Sequence, residues 1–260
     1  MSIEAAAELL RESANTVALT GAGFSTASGI PDFRSEGSGL WKMHDPMEVA
    51  SLSAFRIQPQ RFFEWIHPLT VQIFAAQPNP AHEALAQLES LGILQLIITQ
   101  NIDGLHQRAG SRNVIEVHGS LERLTCVTCL SVYPAGDFLP TYLEQHSMPR
   151  CPECGGILKP NVILFEEQLP FEAWQRAQSA ARNCDVMIIA GSSLEVMPVA
   201  SLPMQALDAG AKLILINQNA IYLDPRADVI LNMDVAEALP QITSVLQLKS
   251  YVTMPTTSVM

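Results

Sequence analysis

This chain predicts an α/β fold: a parallel sheet covered by helices on both faces, with a smaller lobe inserted into it. Three observations carry that prediction. Short, nearly unbroken apolar runs alternate with segments of helical period, which is how strands buried on both faces read. Polar and glycine-rich clusters follow directly after those runs, at the carboxyl ends where ligands of such sheets gather. Two Cys-x-x-Cys pairs, Cys126/Cys129 and Cys151/Cys154, break the alternation. Two intervening residues let both thiolates of a pair reach one tetrahedral ion, so the two pairs complete a closed four-sulfur zinc site. A closed site leaves no coordination position for chemistry, so one structural zinc is expected there.

The elements follow in order along the chain. An amphipathic helix over residues 3–13 precedes the strand Thr16–Thr20, which runs into Gly21-Ala22-Gly23. From 36 to about 77 the pattern turns irregular, with Trp41, Phe62, Phe63 and Trp65 among helical fragments. Asn79-Pro80 supplies an N-cap and a first-turn proline for a helix through about Leu91, with Gly92 as its stop. The strand Ile93–Thr99 ends in Gln100-Asn101-Ile102-Asp103, and Val114–Val117 ends at His118. After the cysteine section at about 121–159 come a strand at Val162–Phe165 and a helix near 171–182. The strand Val186–Ala190 then runs into Gly191-Ser192-Ser193. A helix near 199–208, strands at Lys212–Asn217 and Val229–Leu231, and a last helix from about Asp234 complete the series. The tail from about Lys249 to Met260 has no clear periodicity, the pattern of a loose terminus.

With 260 residues, 48% hydrophobic and 16% charged, the composition is that of an ordinary globular protein. No apolar run approaches the roughly 18 residues of a membrane span. The acidic start Met1-Ser2-Ile3-Glu4 lacks the pattern of a signal peptide. A cytoplasmic location is therefore expected, where reducing conditions favour zinc thiolates over disulfides. Cys184, just before an apolar strand, reads as a buried small hydrophobe. The net charge of −11, from 15 basic and 26 acidic side chains, disfavours nucleic acid as a direct partner and suits lysine-rich peptides.

A strand ending in Gly-x-Gly suits a pyrophosphate, because bare backbone lets N–H groups approach the anion. The dehydrogenase fingerprint needs a third glycine where Thr26 stands, and an acidic second strand end that is missing. A nicotinamide-dependent oxidoreductase is thus a poor fit. Asp32, Phe33 and Arg34 place a carboxylate, a ring and a fixed cation on one loop, suited to orienting a ribose and phosphate. Asn101 and Asp103 alternate along a strand-end loop and so share a facing direction. His118 alone would be a turn histidine. The cysteine pairs alone would also allow a nucleic-acid zinc ribbon, but 130–150 carries only Arg150 as a fixed cation beside Asp137 and Glu144.

Taken together these segments resemble the sirtuins, NAD-dependent protein lysine deacylases with a bacterial-type catalytic core. The resemblance runs through Gly21-Ala22-Gly23-Phe24-Ser25, Gly29 to Arg34, Thr99 to His106, Val117-His118-Gly119, the four cysteines, Gly191 to Leu194 and Ile216-Asn217. It implies NAD as co-substrate, release of nicotinamide, and an acyl group moved from lysine to ADP-ribose. His118 would be the general base, its intrinsic pKa near 6.5 suiting it to neutral pH. Asn101 would position the ribose or a water, Asp103 the nicotinamide carboxamide, with Ile102 helping through backbone and apolar body. Phe33 would cover the anomeric carbon. Gly21, Ala22, Gly23, Ser25, Thr26, Asp32, Arg34, Gln100, Gly191, Ser192, Ser193, Asn217, Gln218, Asp234 and Val235 would complete the NAD site, while His106 would be structural. Lys159 to Phe165 resembles the substrate-side strand, where an acylated peptide adds as a strand. Ile163 would accept from the lysine N–H through its carbonyl, and Phe165 and Val196 would line the acyl tunnel. Mono-ADP-ribosyl transfer starts at the same ribose carbon and stays open as an alternative.

Two departures matter. Glu166 stands where the family usually has glycine, a position suggesting positive φ or close backbone approach, and suggests a preference for basic residues flanking the lysine. Phe62 to His67 lacks the Tyr-x-x-Arg pair of succinyl-specific relatives, so neutral acyl groups, acetyl first, are expected. The resulting division is a Rossmann-like NAD-binding domain over 1–35, 78–120 and 160–248. A small domain is expected from the helical insertion 36–77 and the zinc module 121–159, with 249–260 as tail.

Overall fold

The computed structural model describes residues 2–32 and 44–252. Phe33, Arg34 and Trp41 lie outside them. Nine strands are described: β1 (Thr16–Thr20), β2 (Leu94–Thr99), β3 (Val114–Glu116), β4 (Gly119–Cys126), β5 (Val132–Pro134), β6 (Leu158–Val162), β7 (Val186–Ala190), β8 (Lys212–Ile216) and β9 (Val229–Leu231). Ten α-helices are described: α1 (Ile3–Glu12), α2 (Pro46–Val49), α3 (Leu52–Ile57), α4 (Pro59–Ala75), α5 (Pro80–Ser90), α6 (Leu105–Arg108), α7 (Leu139–Gln145), α8 (Phe171–Asn183), α9 (Leu202–Asp208) and α10 (Val235–Val252). The last helix runs into the segment expected to be loose.

Six strands form one parallel sheet in the order β3-β2-β1-β7-β8-β9. Alternate residues serve opposite faces, as strand geometry requires. Ala18, Ile97, Ile188 and Ile214 pack against α1, α5 and α10 through Leu10, Leu85 and Ile242. Val17, Ile98, Ile189 and Leu215 pack against α8 and α9 through Ala177, Ala181, Leu202 and Ala206. Every residue of β1 and β7 is buried, which explains the unbroken apolar runs. The order reverses between β1 and β7, and the loops after those two strands flank the crevice of the switch point.

The remaining elements pack around a second, smaller sheet. β5-β4-β6 is a separate antiparallel sheet. The strand expected at Val162–Phe165 lies earlier, at Leu158–Val162, and belongs to this small sheet. Pro160 hides it in the sequence, yet β6 is an edge strand, where proline is tolerated. The helical insertion packs Phe55, Phe62, Phe63 and Ile66 against Leu105, Leu121, Tyr142 and Val162, and the Tyr142 hydroxyl donates to the Phe63 carbonyl at 2.6 Å. Among the described residues, no helix is long and apolar enough to cross a membrane.

Candidate active site

The strand-end loops open into a single cleft of about 1780 Å³. Every described residue proposed for cofactor or substrate lines it: Gly21 to Gly23, Ser25, Thr26, Asp32, Gln100 to Asp103, His118, Gly191 to Ser193, Asn217, Gln218, Asp234 and Val235, with Ile163, Phe165 and Val196. The loops after β1 and β7 touch: Gly23 N–H donates to Gly191 O at 2.9 Å. A Cβ on Gly23 would stand 3.0 Å from that oxygen, and Gly191, at φ +62°, has Phe24 N where its own Cβ would be. These glycines therefore let the two loops close on one another, besides leaving backbone bare toward a ligand. Asn217 spans the same crevice, accepting from Ser192 N at 2.9 Å and donating to Ser192 O at 3.2 Å. The Gln100 amide reaches Ser192 Oγ at 2.9 Å.

His118 follows β3 and is mostly buried. Its Nδ1 lies 3.1 Å from the Gln100 carbonyl. A carbonyl only accepts, so Nδ1 carries the proton and Nε2 keeps its lone pair. Burial lowers the imidazole below its ordinary pKa, against an opposing effect of the Gln100 bond, so the neutral base is the resting form at neutral pH. The next residue, Gly119, sits at φ +76°, and a Cβ there would lie 1.9 Å from Asn161 O. No side chain fits. The Ile163 N–H donates to the His118 carbonyl at 2.8 Å, tying the expected peptide-side segment to the backbone of this histidine.

Asn101, Ser25 and Asp103 form a polar triad at the floor. Asn101 Nδ2 donates to Ser25 Oγ at 3.1 Å, and Ser25 Oγ donates to Asp103 Oδ2 at 2.7 Å. Asp103 Oδ1 accepts from Leu105 N at 2.9 Å, so the carboxylate is oriented through both oxygens. Burial raises its pKa, opposed by those two bonds and by Arg108. Beside this triad, burial pushes Glu116 up to about 7, against a bond from Gln107 and with Glu122 and Asp103 adding repulsion.

Residues 21–198 match the Sir2 family, more than half of the chain. The chain belongs to the Sir2 family. It is 46% identical over 241 residues to an NAD-dependent protein deacylase of Archaeoglobus fulgidus, covering 92% of this chain and 94% of the relative. It is also 46% identical over 242 residues to an NAD-dependent protein deacetylase of Saccharolobus solfataricus, covering 93% and 96%. A solved Sir2 variant with deacetylated p53 peptide and 3'-O-acetyl-ADP-ribose superposes with a TM-score of 0.89 at 38% identity, covering 94% of this chain and 98% of that one.

The second Sir2 feature is the cysteine cluster. All four sulfurs lie within 4.8 Å of one another, with Cys126–Cys154 at 3.4 Å and Cys129–Cys151 at 3.6 Å. Zinc–sulfur bonds of about 2.3 Å in a tetrahedron put sulfurs about 3.8 Å apart, so the cage fits the ion. Thr128 N and the Tyr133 hydroxyl reach sulfurs of the cage at 3.4 and 3.3 Å, the kind of outer contact that orients ligands. Cys184 is buried, its Sγ 3.3 Å from Ala181 O, and burial raises its pKa to about 11. It is a core residue, as expected.

Several site features escaped the sequence. Phe62, Trp65, Ile66, Leu69 and Ile73 line the apolar end of the Sir2 cleft from α4; their helical spacing was the available signal. Lys159 pairs with Glu167 at 2.9 Å, and Glu167 also accepts from Leu164 N at 2.8 Å, clamping the segment that carries Ile163. Glu166 does sit at positive φ, +73°, but its carboxylate accepts from Ser53 N and Oγ at 2.8 and 2.6 Å. Those bonds depress its pKa. The charge expected to select peptides caps the start of α3.

Proposed function

We infer that this chain is an NAD-dependent protein lysine deacylase, moving an acyl group from lysine to ADP-ribose with release of nicotinamide. The observation that carries the reading is His118: a neutral base whose side chain is fixed by Gln100 and whose carbonyl holds Ile163. One histidine thereby joins the strand-end loops suited to NAD with the segment suited to an acyl-lysine peptide. The relatives' names and the peptide and O-acetyl-ADP-ribose bound in a solved relative support the same reading.

NAD supplies an anomeric carbon from which nicotinamide departs and to which the acyl oxygen can bond. The protein's own residues hold, orient and deprotonate. The loops after β1, β7 and β8 hold phosphates and riboses through Gly21, Ala22, Gly23, Ser192, Ser193 and Asn217, with Asp234 and Val235 toward the adenine. Asn101 presents its amide from the triad with Ser25 and Asp103, orienting a ribose hydroxyl or a water. His118 Nε2 takes the proton from a ribose hydroxyl, as its tautomer allows. Ile163 offers its carbonyl to the lysine N–H, and Phe165 and Val196, with the α4 face, shield the acyl chain from water. Phe33 keeps the covering role that the resemblance implies, and Arg34 the place in the NAD site that its fixed cation suits.

The four thiolates hold a structural zinc and take no part in these steps. Such a site favours a reducing, cytoplasmic setting. Incubation with NAD and an acetyl-lysine peptide library, resolved by mass, tests the function. Deacetylated peptide, free nicotinamide and O-acetyl-ADP-ribose should appear together; NAD consumption without deacetylated peptide would overturn it.

A further inference from the structure

Behind the cleft, two histidines outside the chemistry above meet inside the large core. His82 and His106 are fully buried, their ring centroids 4.9 Å apart at 56°, and both pack on the Phe24 ring. Their outer nitrogens fix their tautomers. His82, three residues into the helix capped by Asn79, accepts from Asn79 N–H at Nδ1, 3.3 Å away. Its proton is therefore on Nε2. His106 Nε2 lies 2.9 Å from Thr20 Oγ1, and that hydroxyl donates to Thr99 Oγ1 at 2.9 Å. With the Thr20 hydroxyl donating to Thr99, His106 Nε2 is the donor toward Thr20 Oγ1, and in that arrangement Nδ1 is an acceptor.

The two remaining nitrogens are thus a donor, His82 Nε2–H, and an acceptor, His106 Nδ1. Both are buried without a partner among the described residues. Each alone would carry its full desolvation penalty. A buried water that accepts from one and donates to the other satisfies both, as waters in polar interior sites do.

We propose that one buried water bridges His82 Nε2 and His106 Nδ1, and that the chain it completes makes His106 a positioning residue for Asn101. The chain runs from Asn79 N–H through His82, the water, His106 and Thr20 to Thr99. Thr99 Oγ1 also accepts the Asn101 N–H at 3.1 Å. The start of α5, the glycine loop and the Asn101 loop are thereby held in one register. Burial lowers His82 to about 4 and His106 well below its ordinary value, so both rings stay neutral and the direction of the chain is fixed.

The water and the tautomers stand apart from the functional reading; the kinetic consequence rests on the assignment of Asn101 to the NAD site. A crystal structure of the full chain should show one water within hydrogen-bond reach of both nitrogens. Long-range ¹H–¹⁵N NMR should find both rings as Nε2–H tautomers, without titration from roughly pH 5.5 to 8.5. A dry gap or an Nδ1–H His106 overturns the bridge. His106→Phe keeps the ring but removes both nitrogens, and should lower kcat about tenfold with peptide KM unchanged. His106→Gln, which retains an N–H toward Thr20, should recover most of that loss. An unchanged kcat in folded, zinc-loaded His106→Phe overturns the positioning role. If that variant does not fold, the glutamine variant and the tautomers of the unaltered protein decide.

Discussion

The parallel sheet and the small antiparallel sheet solve the same problem with different means. β1 and β7 are buried along their whole length, and both faces of their sheet are covered by helices. That core is built from buried hydrophobic side chains on both faces of the sheet. Around the cysteines of the small sheet, the described core is Leu124, Cys126, Ala135, Cys151 and Leu158, while Leu121 and Val162 of the same sheet pack on the helical insertion. Two of the five buried members at the cage are thus zinc ligands. A patch of that size cannot offset the entropy of ordering the module, and the metal must supply what burial does not. The difference teaches where each job sits: the large sheet stores stability and presents loops, while the cysteine cage holds together the strands that lead into Gly119 and Ile163.

The sharpest way to break this comparison is to remove the metal. Chelation, or Cys151→Ser, should abolish deacylation, because β4 carries Gly119 beside His118 and β6 leads into Ile163. Hydrogen exchange should show β4, β5 and β6 losing protection while β1, β7 and β8 keep theirs. Simultaneous loss in both sheets would erase the distinction. The next effect is chemical: His118→Ala should cost about 10²–10⁴ in kcat with zinc content unchanged. In the unaltered protein the acid limb of activity should lie below pH 6.5, since burial lowers this imidazole; a limb above 6.5 contradicts that geometry. On the packing side, Ile188→Ala in the large core should cost about 2–5 kcal/mol of stability in denaturant unfolding.

The same contrast explains what was legible in the sequence. β1, β7 and β9 were readable at their ends because strands buried on both faces leave uniform apolar runs. The four cysteines were readable because a metal cage has fixed spacing. The described site residues line one cleft, and most of them were legible because their polar clusters follow the ends of parallel strands. What stayed hidden depends on distant partners. β6 was displaced by Pro160, harmless only because the strand lies at an edge. His82 matched no motif, and its capping role was visible only as the third residue after Asn79. The tautomers of His82 and His106 depend on Thr20 and Thr99, which look like ordinary strand residues. Glu166 meets Ser53, 113 positions away.

Glu116 sharpens the comparison from the electrostatic side. Its folded pKa of about 7 exceeds the ordinary 4.5, so the native state keeps its proton to higher pH than the unfolded chain. Between roughly pH 4.5 and 7 the unfolded chain releases that proton first, and this residue makes stability fall as pH rises. Glu116→Gln mimics the protonated form. Its melting temperature should match the unaltered protein near pH 4.5 and exceed it increasingly toward pH 8. A constant difference across that range would mean the carboxyl is not held as described.

The smallest effect is expected at Glu166, which stitches the segment after β6 to the helical insertion through Ser53. Glycine would relieve the left-handed backbone at φ +73°, but it would also remove both bonds to Ser53. These changes oppose one another, so the melting temperature should move little. Because the carboxylate is held against the start of α3, lysine-rich and acidic peptides should respond to Glu166→Gly alike, within about twofold. Peptide KM values measured for both sequences decide it. A selective loss for the lysine-rich peptide would mean that the carboxylate leaves Ser53 when a peptide arrives, and that charge selection at this rim outweighs the cap.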